Sequence, residues 1–376
     1  MNKIVLSALA ALAIGSVSAT AGEITQESEK GFFDRFHAKG DMRLRYETIE
    51  RDDKDDKWRT RYRFRYNLNV DITDNILLET AISSGRYNPT SGNVTFKDDD
   101  NWADYFTDEL KIDIAGIKYS FGDSWIRAGK SAHHIYRPIK TQLIWDNDIR
   151  LEGVNYGYKD DSSMIRVGAN RVHRENSNGK EGADYESYKD GDDINIFLAQ
   201  YVHTLKLGDA KANLGGGYYL YDGVKGNTVQ SKNKFKQNSN AGGVYLEDYG
   251  ILEAFGELKY KDVMGKPFKT ALTLAYNTLA DDDNFGYDFS VEYGATKKVG
   301  DWKLGATYRD IDKDAVYGAH NDSDFSGGGT DSKGYYVKGK YKFAKNVDLG
   351  AWVNYSKLTD VEYDYHRVQL DAILKF

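Results

Sequence analysis

One segment near the N-terminus alternates apolar and polar residues over sixteen positions. In KWRTRYRFRYNLNVDI, residues 57–72, every second residue from Trp58 to Ile72 is aromatic or aliphatic, apart from one threonine. The intervening residues are one lysine, four arginines, two asparagines and one aspartate. Side chains alternate between the two faces of a β-strand, so this pattern predicts a long strand with one apolar and one charged face. Strands in soluble sheets average about 5–6 residues, so this one is unusually long.

The same alternation recurs along most of the chain and ends on the last residue, Phe376, in YHRVQLDAILKF. Aromatic residues, which favour strands, make up 14% of the sequence. We place about sixteen strands, and the pattern leaves fourteen or eighteen open. Their approximate bounds are 38–50, 57–72, 76–84, 109–119, 124–130, 149–159, 163–173, 192–204, 210–221, 248–261, 267–279, 285–296, 301–310, 333–343, 347–357 and 364–376.

The connections between these strands differ systematically in length. After even-numbered strands they are short and rich in turn residues, as in Thr73-Asp74-Asn75 and Leu207-Gly208-Asp209. After odd-numbered strands they are mostly long and polar: 85–108, 131–148, 174–191, 222–247 and 311–332. Transmembrane barrels have short periplasmic turns and long extracellular loops. The sequence therefore predicts an all-β, antiparallel up-and-down transmembrane barrel; a soluble β protein is the disfavoured alternative.

The N-terminus carries an export signature. A lysine precedes an apolar run from Ile4 to Ile14, and Ala19-Thr20-Ala21 matches a cleavage site. We expect a signal peptide at 1–21, a periplasmic lead-in at 22–37 and a barrel domain at 38–376. The apolar run is too short for the alternative, a membrane anchor. The chain has no cysteine and a net charge of −7, which argues against disulfides, thiolate chemistry and nucleic-acid binding.

Several segments carry a family resemblance. The segments DMRLRYE (41–47), RTRYRFRYNLNVDITDN (59–75) and WDNDIRLEGVNYGY (145–158), with the Phe-terminated last strand, resemble the putative porins of Gram-negative outer membranes. The chain also looks like the broader group of trimeric porins. The resemblance implies a passive water-filled channel for ions and small hydrophilic solutes. It also implies outer-membrane lipid and lipopolysaccharide as surroundings, often a homotrimer, and neither a cofactor nor catalytic residues.

The third long loop is the candidate constriction. In porins of this size that loop commonly folds inward, which here implies an inward-folded loop at 131–148, SAHHIYRPIKTQLIWDND. Its apolar residues fit packing against a barrel wall better than exposure to water. The alternatives are an external loop or two further short strands. The candidate residues of this loop are His133, His134, Arg137, Lys140, Asp146 and Asp148.

Arginines at alternate positions of the first two strands form the second candidate site, which we call the arginine ladder. Lipid disfavours this charged face, so we expect it to line the lumen. There it could guide anions or set a transverse field against acidic residues; alternatively, it only pairs with Asp41, Glu47, Asp71 and Glu79. The ladder residues are Arg43, Arg45, Arg59, Arg61, Arg63 and Arg65. The candidate opposing acids are Glu253, Glu257, Asp288 and Glu292.

Two other functions stay open at this point. An outer-membrane barrel enzyme of lipase or protease type would need a Ser–His–acid or paired-acid site, for which His173 near Asp184 and His320 near Ser323 are the nearest matches. An adhesin or structural barrel would have no open pore. The histidines show no metal-ligand spacing, so we predict no metal site. Asp98–Asp100 and Asp281–Asp283 could bind divalent cations at the lipopolysaccharide surface, although such runs are more often only solvated.

Overall fold

Sixteen long antiparallel strands follow one another in the computed structural model, which describes residues 31–85, 89–96, 110–172, 194–228 and 235–376. We number these strands β1 to β16 in chain order. Their bounds are Phe36–Arg51, Lys54–Asp71, Ile76–Ser84, Leu110–Phe121, Ser124–Ala132, Arg150–Lys159, Ser163–Arg171, Asn195–Leu207, Ala210–Asp222, Tyr249–Val263, Lys266–Asn277, Phe285–Gly294, Trp302–Ile311, Ser332–Ala344, Val347–Leu358 and Asp364–Lys375.

Each strand pairs with its sequence neighbours, and the last strand returns to the first. β16 pairs with β1 in an antiparallel register from Asp41 opposite Lys375 to Arg51 opposite Tyr365. At this seam the backbone of Phe376 accepts a hydrogen bond from the Gly40 N–H at 2.7 Å and donates one back at 3.1 Å. The predicted closed antiparallel barrel of sixteen strands is therefore confirmed, and closure removes the unpaired edges that lipid would not tolerate.

The two faces of the barrel wall differ in chemistry. Outward positions carry large apolar side chains that remain exposed, such as Leu272 at 42%, Phe289 at 50% and Val337 at 43%. Inward positions carry polar side chains that are buried, such as Gln200 and Asn354. An apolar exterior around a polar interior is the arrangement of a barrel that crosses a bilayer.

Short elements accompany the sixteen strands. A 3-10 helix covers Phe32–Arg35, and others cover Pro138–Lys140 and Phe325–Gly327. Val94–Thr95 pairs with β2 above the end of β3, and Asn240–Ala241 pairs with Val244–Tyr245. No helix in the described part of the chain is both long and apolar enough to span a bilayer.

The outer connections are numbered in chain order, so that L3 joins β5 to β6, L5 joins β9 to β10, L6 joins β11 to β12 and L7 joins β13 to β14. L3 is residues 133–149, L5 is 223–248, L6 is 278–284 and L7 is 312–331. The connection from β1 to β2 is only a two-residue turn. The predicted signal peptide, most of the predicted lead-in, the Asp98–Asp100 run, and His173 with Asp184 lie outside the described residues.

A buried apolar cluster lies among these loops and the inner faces of several strands. L3 contributes Leu143, Ile144 and Trp145, whereas L7 contributes Val316 and Tyr317. The strands contribute inward aromatic and aliphatic side chains, listed here in part: Ile196, Leu198, Tyr219, Tyr221, Tyr249 and Ile251. Burial of this apolar surface stabilises the loops in one position, since transfer from water contributes about 25 cal/mol per Å².

Candidate pore lining and constriction

L3 contacts inward side chains of three strands on one side of the barrel. The Tyr136 hydroxyl donates to the Glu257 carboxylate of β10, and the Ile139 N–H donates to the same carboxylate at 3.2 Å. The Tyr136 N–H donates to Gln200 Oε1 of β8 at 2.7 Å. The Thr141 hydroxyl donates to the Asp288 carboxylate of β12. These bonds give buried carboxylates their hydrogen-bond donors and fix the middle of L3.

The end of L3 contacts the arginine ladder instead. Asp148 lies 3.3 Å from Arg65 Nη1 and 4.0 Å from Arg63 Nη1. Burial raises the pKa of Asp148, but the positive charges of Arg63 and Arg65 lower it by a larger amount. The net shift is therefore downward, and the carboxylate stays charged. L3 therefore connects the strands that carry Glu257 and Asp288 with the strands that carry the ladder.

The two histidines of L3 are packed rather than presented to solvent. His133 Nε2 lies 2.9 Å from the Asp146 carbonyl oxygen, and the His134 ring packs edge-on against Trp125 with centroids 5.2 Å apart. Burial lowers the pKa of His133 well below its usual value and that of His134 to about 3. Both imidazoles are therefore neutral at pH 7 and act as packing groups.

The remaining L3 candidates divide into loop braces and a solvent-facing charge. Arg137 donates to the Trp145 and Thr141 carbonyl oxygens at 2.8 and 3.2 Å, which closes the loop on itself. Asp146 accepts hydrogen bonds from the Asp148 and Ser323 N–H groups. Burial, with Asp148 and Asp322 nearby, raises the pKa of Asp146 well above its usual range. Lys140 is exposed.

The arginine ladder is paired along much of its length. Arg59 and Arg61 contact Glu47, which is fully buried, and the distance from Arg61 is 3.3 Å. Arg63 and Arg65 contact Asp41 at 3.0 and 2.9 Å. Arg45 donates to Asp371 at 2.7 Å, whereas Arg43 lies 3.9 Å from the same residue. Of the other carboxylates considered as partners, Asp71 contacts His37 and Glu79 contacts Arg127.

The four candidate opposing acids do not act as one group. Glu257 and Asp288 contact L3 as described, and Asp288 also accepts two hydrogen bonds from Arg309, at 2.7 and 2.8 Å. Glu253 accepts from the Tyr219 hydroxyl at 2.6 Å and from Gln200 at 2.9 Å. Glu292 pairs with Lys269 at 2.6 Å and with Lys303. Each acid is thus neutralised or hydrogen-bonded by nearby groups.

A set of inward lysines was missed by the sequence analysis. In the strand register Lys259 lies opposite Lys269, and Lys303 lies opposite Lys340. The available signal was KGKYKF, residues 338–343, whose lysines alternate with the outward Tyr341. Because successive side chains of a strand alternate between its faces, an outward Tyr341 places Lys338, Lys340 and Lys342 on the inward face.

L7 contacts inward side chains of the barrel wall, which the sequence analysis did not predict. Asp324 lies 2.9 Å from Arg367 and 3.4 Å from Arg45, and Asp322 lies 3.3 Å from Arg309. L7 also contacts L3, because the Asp146 N–H donates to the His320 carbonyl oxygen at 2.7 Å. The signal for this packing was the apolar run Ala315-Val316-Tyr317 within an otherwise polar loop.

Two cavities lie between these loops and the barrel wall. The inner cavity, of about 640 Å³, is lined by residues of L3, the ladder and the strands from β10 to β16. Its cationic residues are Arg43, Arg45, Arg137, Lys140, Lys259, Lys269, Lys303, Lys338 and Lys340, and its acidic residues are Glu257, Glu292, Asp322, Asp324 and Asp371. The outer cavity, of about 330 Å³, includes Arg51, Lys57, Arg59, Arg61, Lys236 and Arg367 but only two acids, Asp55 and Asp324. Both cavities therefore have an excess of cationic side chains.

The candidate enzyme pair in L7 does not assemble. His320 Nδ1 lies 3.0 Å from the Tyr221 hydroxyl, whereas the Ser323 hydroxyl donates to the Thr90 carbonyl oxygen at 3.1 Å. Burial lowers the pKa of His320 to about 3. Within the ranges that the structure describes, no group of three His, Asp or Glu side chains could hold a metal ion.

Comparison with known proteins gives a family and a fold. The model of the family described as "Putative porin" matches residues 50–245 and 259–376. A search of curated proteins gave no match. The structure of Pseudomonas putida OprB at high pH is similar at 11% identity and a TM-score of 0.60, over 92% of this chain and 95% of that one.

Two further solved barrels are similar at comparable coverage. Salmonella typhi OmpF, in complex with daunomycin, matches at 11% identity and a TM-score of 0.52, over 91% of this chain and 97% of that one. A loop L8 deletion mutant of Vibrio cholerae OmpT matches at 15% identity and a TM-score of 0.50, over 91% and 100%. With the closed sixteen-stranded barrel and the family match over most of its length, the chain belongs to the putative porin family and is a porin of the Gram-negative outer membrane.

Proposed function

We propose that this porin favours anions and that L3, braced by L7, sets the narrowest part of its pore. The observation that carries this proposal is the charge of the inner cavity, where nine cationic side chains face five acidic ones. Fixed charges of one sign in a confined aqueous space concentrate the opposite ion. The net charge of the whole chain, −7, does not oppose this, because ions respond to the charges that line the pore.

The arginine ladder would guide anions from the outer cavity to the inner one. Arg59 and Arg61 line the outer cavity, and Arg43 and Arg45 line the inner one. Glu47 and Asp41 do not by themselves cancel the charge of the ladder, since each is shared by at least two guanidinium groups, and Asp371, Asp324 and Asp148 balance part of the remainder. Guanidinium stays protonated at any physiological pH, so the guidance would not depend on pH.

The proposals on export, on the pore domain and on the surroundings of the protein rest on the match to the putative porin family. We propose that residues 1–21 direct export and are removed, and that residues 38–376 form the pore domain with L3 inside it. The exposed apolar belt would contact lipid and, in part, two further copies of the chain in a homotrimer, with lipopolysaccharide around the outer loops. We propose no enzymatic activity and no cofactor; in support, His320 contacts Tyr221 and the Ser323 hydroxyl donates to the Thr90 carbonyl oxygen, so this pair forms no catalytic site.

The test is the reversal potential of the refolded mature protein in a planar bilayer under a potassium chloride gradient. We expect steady ohmic steps and a potential of the sign set by chloride. In Arg61→Gln/Arg63→Gln, the potential should shift toward potassium, while Glu47 keeps Arg59 and Arg367 as partners and preserves the wall.

The matched control is Lys297→Gln/Lys298→Gln, which removes two charges from an exposed periplasmic turn and should leave the potential unchanged. A wild-type potential of the sign set by potassium would contradict anion preference. A folded barrel without current would contradict the open pore and would favour the alternative, an adhesin or structural barrel.

A further inference from the structure

A lysine cluster in and beside the inner cavity has fewer carboxylate partners than its charge requires. Glu292 is shared by Lys269 and Lys303. Asp348 is shared by Lys340, Lys342 and Lys375, at 3.0, 3.1 and 2.7 Å. Three lysines of the cavity lining, Lys269, Lys303 and Lys340, thus share two carboxylates with Lys342 and Lys375, which lie outside the lining. Lysine is a compact, strongly hydrated cation that is costly to hold beside others without a counter-charge.

Two more lysines of the cavity add to this excess. Lys338 lies over the rings of Tyr336 and Trp352, at 4.3 and 5.7 Å from their centroids, and no carboxylate among the described residues pairs with it. Lys140 of L3 is exposed to the water of the same cavity and lines it. Its pKa is lowered, first by partial burial and then by the nearby charges of Lys303 and Arg137.

The strand register concentrates these charges instead of dispersing them. Lys303 lies directly opposite Lys340 on the neighbouring strand, and like charges in such cross-strand pairs are destabilising. A wall selected only for stability would place an acid at one of these positions, as Glu292 does opposite Lys269.

Glycines keep the space beside these lysines open. Gly305 lies opposite Lys338, and Gly350 lies opposite Lys340, all on the inward face. A Cβ at Gly350 would have Asp371 Cβ as its nearest neighbour, at the ordinary contact distance of 3.5 Å. The wall at Gly350 therefore has space that no side chain fills. The resulting recess opens into the cavity of about 640 Å³, which is within the usual size of a small-molecule site.

We propose that the recess formed by Lys140, Lys303, Lys338 and Lys340 is a binding site for a small oxyanion with two or more negative charges. Phosphoryl and carboxylate oxygens both accept several charge-assisted hydrogen bonds, and only a multivalent ion neutralises the excess of the cluster. The site rests on the proposed pore function for access, and it makes the pore selective for solutes of this class beyond its general preference for anions.

The experiment measures block of the chloride current by sodium pyrophosphate, sodium phosphate, disodium succinate and sodium acetate. We expect the multivalent ions to reduce chloride conductance at concentrations roughly tenfold lower than acetate requires. This ratio corresponds to a difference of about 1.4 kcal/mol in binding free energy. A preference of pyrophosphate and phosphate over succinate would assign phosphoryl ligands, and the reverse order would assign carboxylates. Equal block by acetate would overturn the proposal.

The variant Lys338→Gln/Lys340→Gln should raise the midpoint for block by the multivalent ions about tenfold. The fold should persist, because Asp348 keeps Lys342 and Lys375 as partners. The matched control is Lys342→Gln/Lys375→Gln, which removes the same number of charges beside Asp348, the carboxylate that Lys340 contacts, but outside the cavity lining, and should leave the midpoint unchanged. Equal effects of the two variants would reduce the site to general electrostatics and overturn it.

Isothermal titration of the refolded protein with pyrophosphate separates this inference from the pore function. Current without saturable binding would overturn the site and keep the anion pore. Saturable binding that Lys338→Gln/Lys340→Gln abolishes, in a barrel that carries no current, would keep the site and overturn the pore.

Discussion

At the scale of residues, the inner wall depends on charged side chains that are buried in pairs. Arg309 and Asp288 are each only 1% exposed, and the Thr141 hydroxyl of L3 and Asp322 of L7 complete the network. Breaking a buried pair costs more than the pair contributes, because the remaining charge has no water to solvate it. The same residues that shape the lumen therefore also stabilise the barrel.

Arg309→Met is expected to lower the free energy of unfolding by about 3–5 kcal/mol, since it leaves Asp288 and Asp322 without their guanidinium partner. Urea-induced unfolding in lipid vesicles measures this loss. Asp288→Asn/Arg309→Met should recover part of it. The control is Lys313→Met, which removes a cation from a pair with the half-exposed Asp360 and should cost about 1 kcal/mol or less. A loss in Arg309→Met as small as in this control would show that the buried pair is not needed.

At the scale of elements, L3 and L7 act as one packed unit. Trp145 of L3 packs against His320 of L7 with ring centroids 5.9 Å apart, and both pack against the inward Tyr221. The apolar residues of L3 made its burial predictable from the sequence. Its partner loop was not predictable, because the contacts join residues 146 and 320, and alternation along a strand carries no information about such distant pairs.

Deletion of residues 133–143 is expected to raise single-channel conductance roughly twofold, because pore diameter sets the flow of hydrated ions. Planar-bilayer recordings measure the change, and heat-modifiability on a gel checks that the barrel is folded. Asp281→Ser/Asp282→Ser alters the exposed part of L6 and should leave conductance unchanged. Unchanged conductance in a folded deletion variant would place the narrowest point elsewhere, with L7 as the next candidate.

The packing of L3 against L7 should weaken in acid. The pKa values of His134 and His320 are about 3 in the packed loops, against about 6.5 when exposed, so protonation favours the opened loops. The stabilisation is therefore complete above pH 6.5 and is lost as the pH falls toward 3. The raised pKa of Asp146 acts in the opposite direction but involves one group only.

Hydrogen exchange of L3 and L7, corrected for intrinsic rates, should accordingly show less protection at pH 5 than at pH 7, by roughly 25-fold for each of the two histidines that an opening exposes, since a pH 1.5 units below the pKa of an exposed histidine is worth about 2 kcal/mol per group. His134→Gln/His320→Gln should flatten this dependence. His366→Gln, at a partly exposed outer position, should not. Protection that is equal at both pH values in the wild type would mean that the loops open without exposing these imidazoles.

At the scale of the whole molecule, periodicity determined most of what could be predicted. Strand number, strand direction and the assignment of long loops to one end follow from alternation and turn residues, as in the segment from Lys57 to Ile72. The pairing partner of each inward charge could not be predicted from alternation and turn residues. Glu47 was considered for pairing with the ladder, but its contacts with Arg367 and Gln369 depend on closure between the first and last strands.

That closure makes a prediction at Gly40, on the lipid-facing side of β1. Phe376 covers this glycine and stacks on Phe64 with centroids 6.2 Å apart. A Cβ at position 40 would overlap the Phe376 ring and lie 2.8 Å from the Arg65 carbonyl oxygen. Gly40→Ala must therefore displace the terminal ring and strain the backbone of β2, at a cost of about 1–3 kcal/mol.

The temperature at which the folded band disappears on a gel should fall in Gly40→Ala. Gly256→Ala is the matched control, because its Cβ would meet only Leu214 Cδ2, at 3.4 Å. Phe376→Ala in the Gly40→Ala background should restore only part of the lost stability, since it removes the clash with the ring but leaves the contact with the Arg65 carbonyl oxygen. Equal stability of Gly40→Ala and Gly256→Ala would mean that the seam between β1 and β16 tolerates a side chain there, and that backbone pairing alone holds the barrel closed.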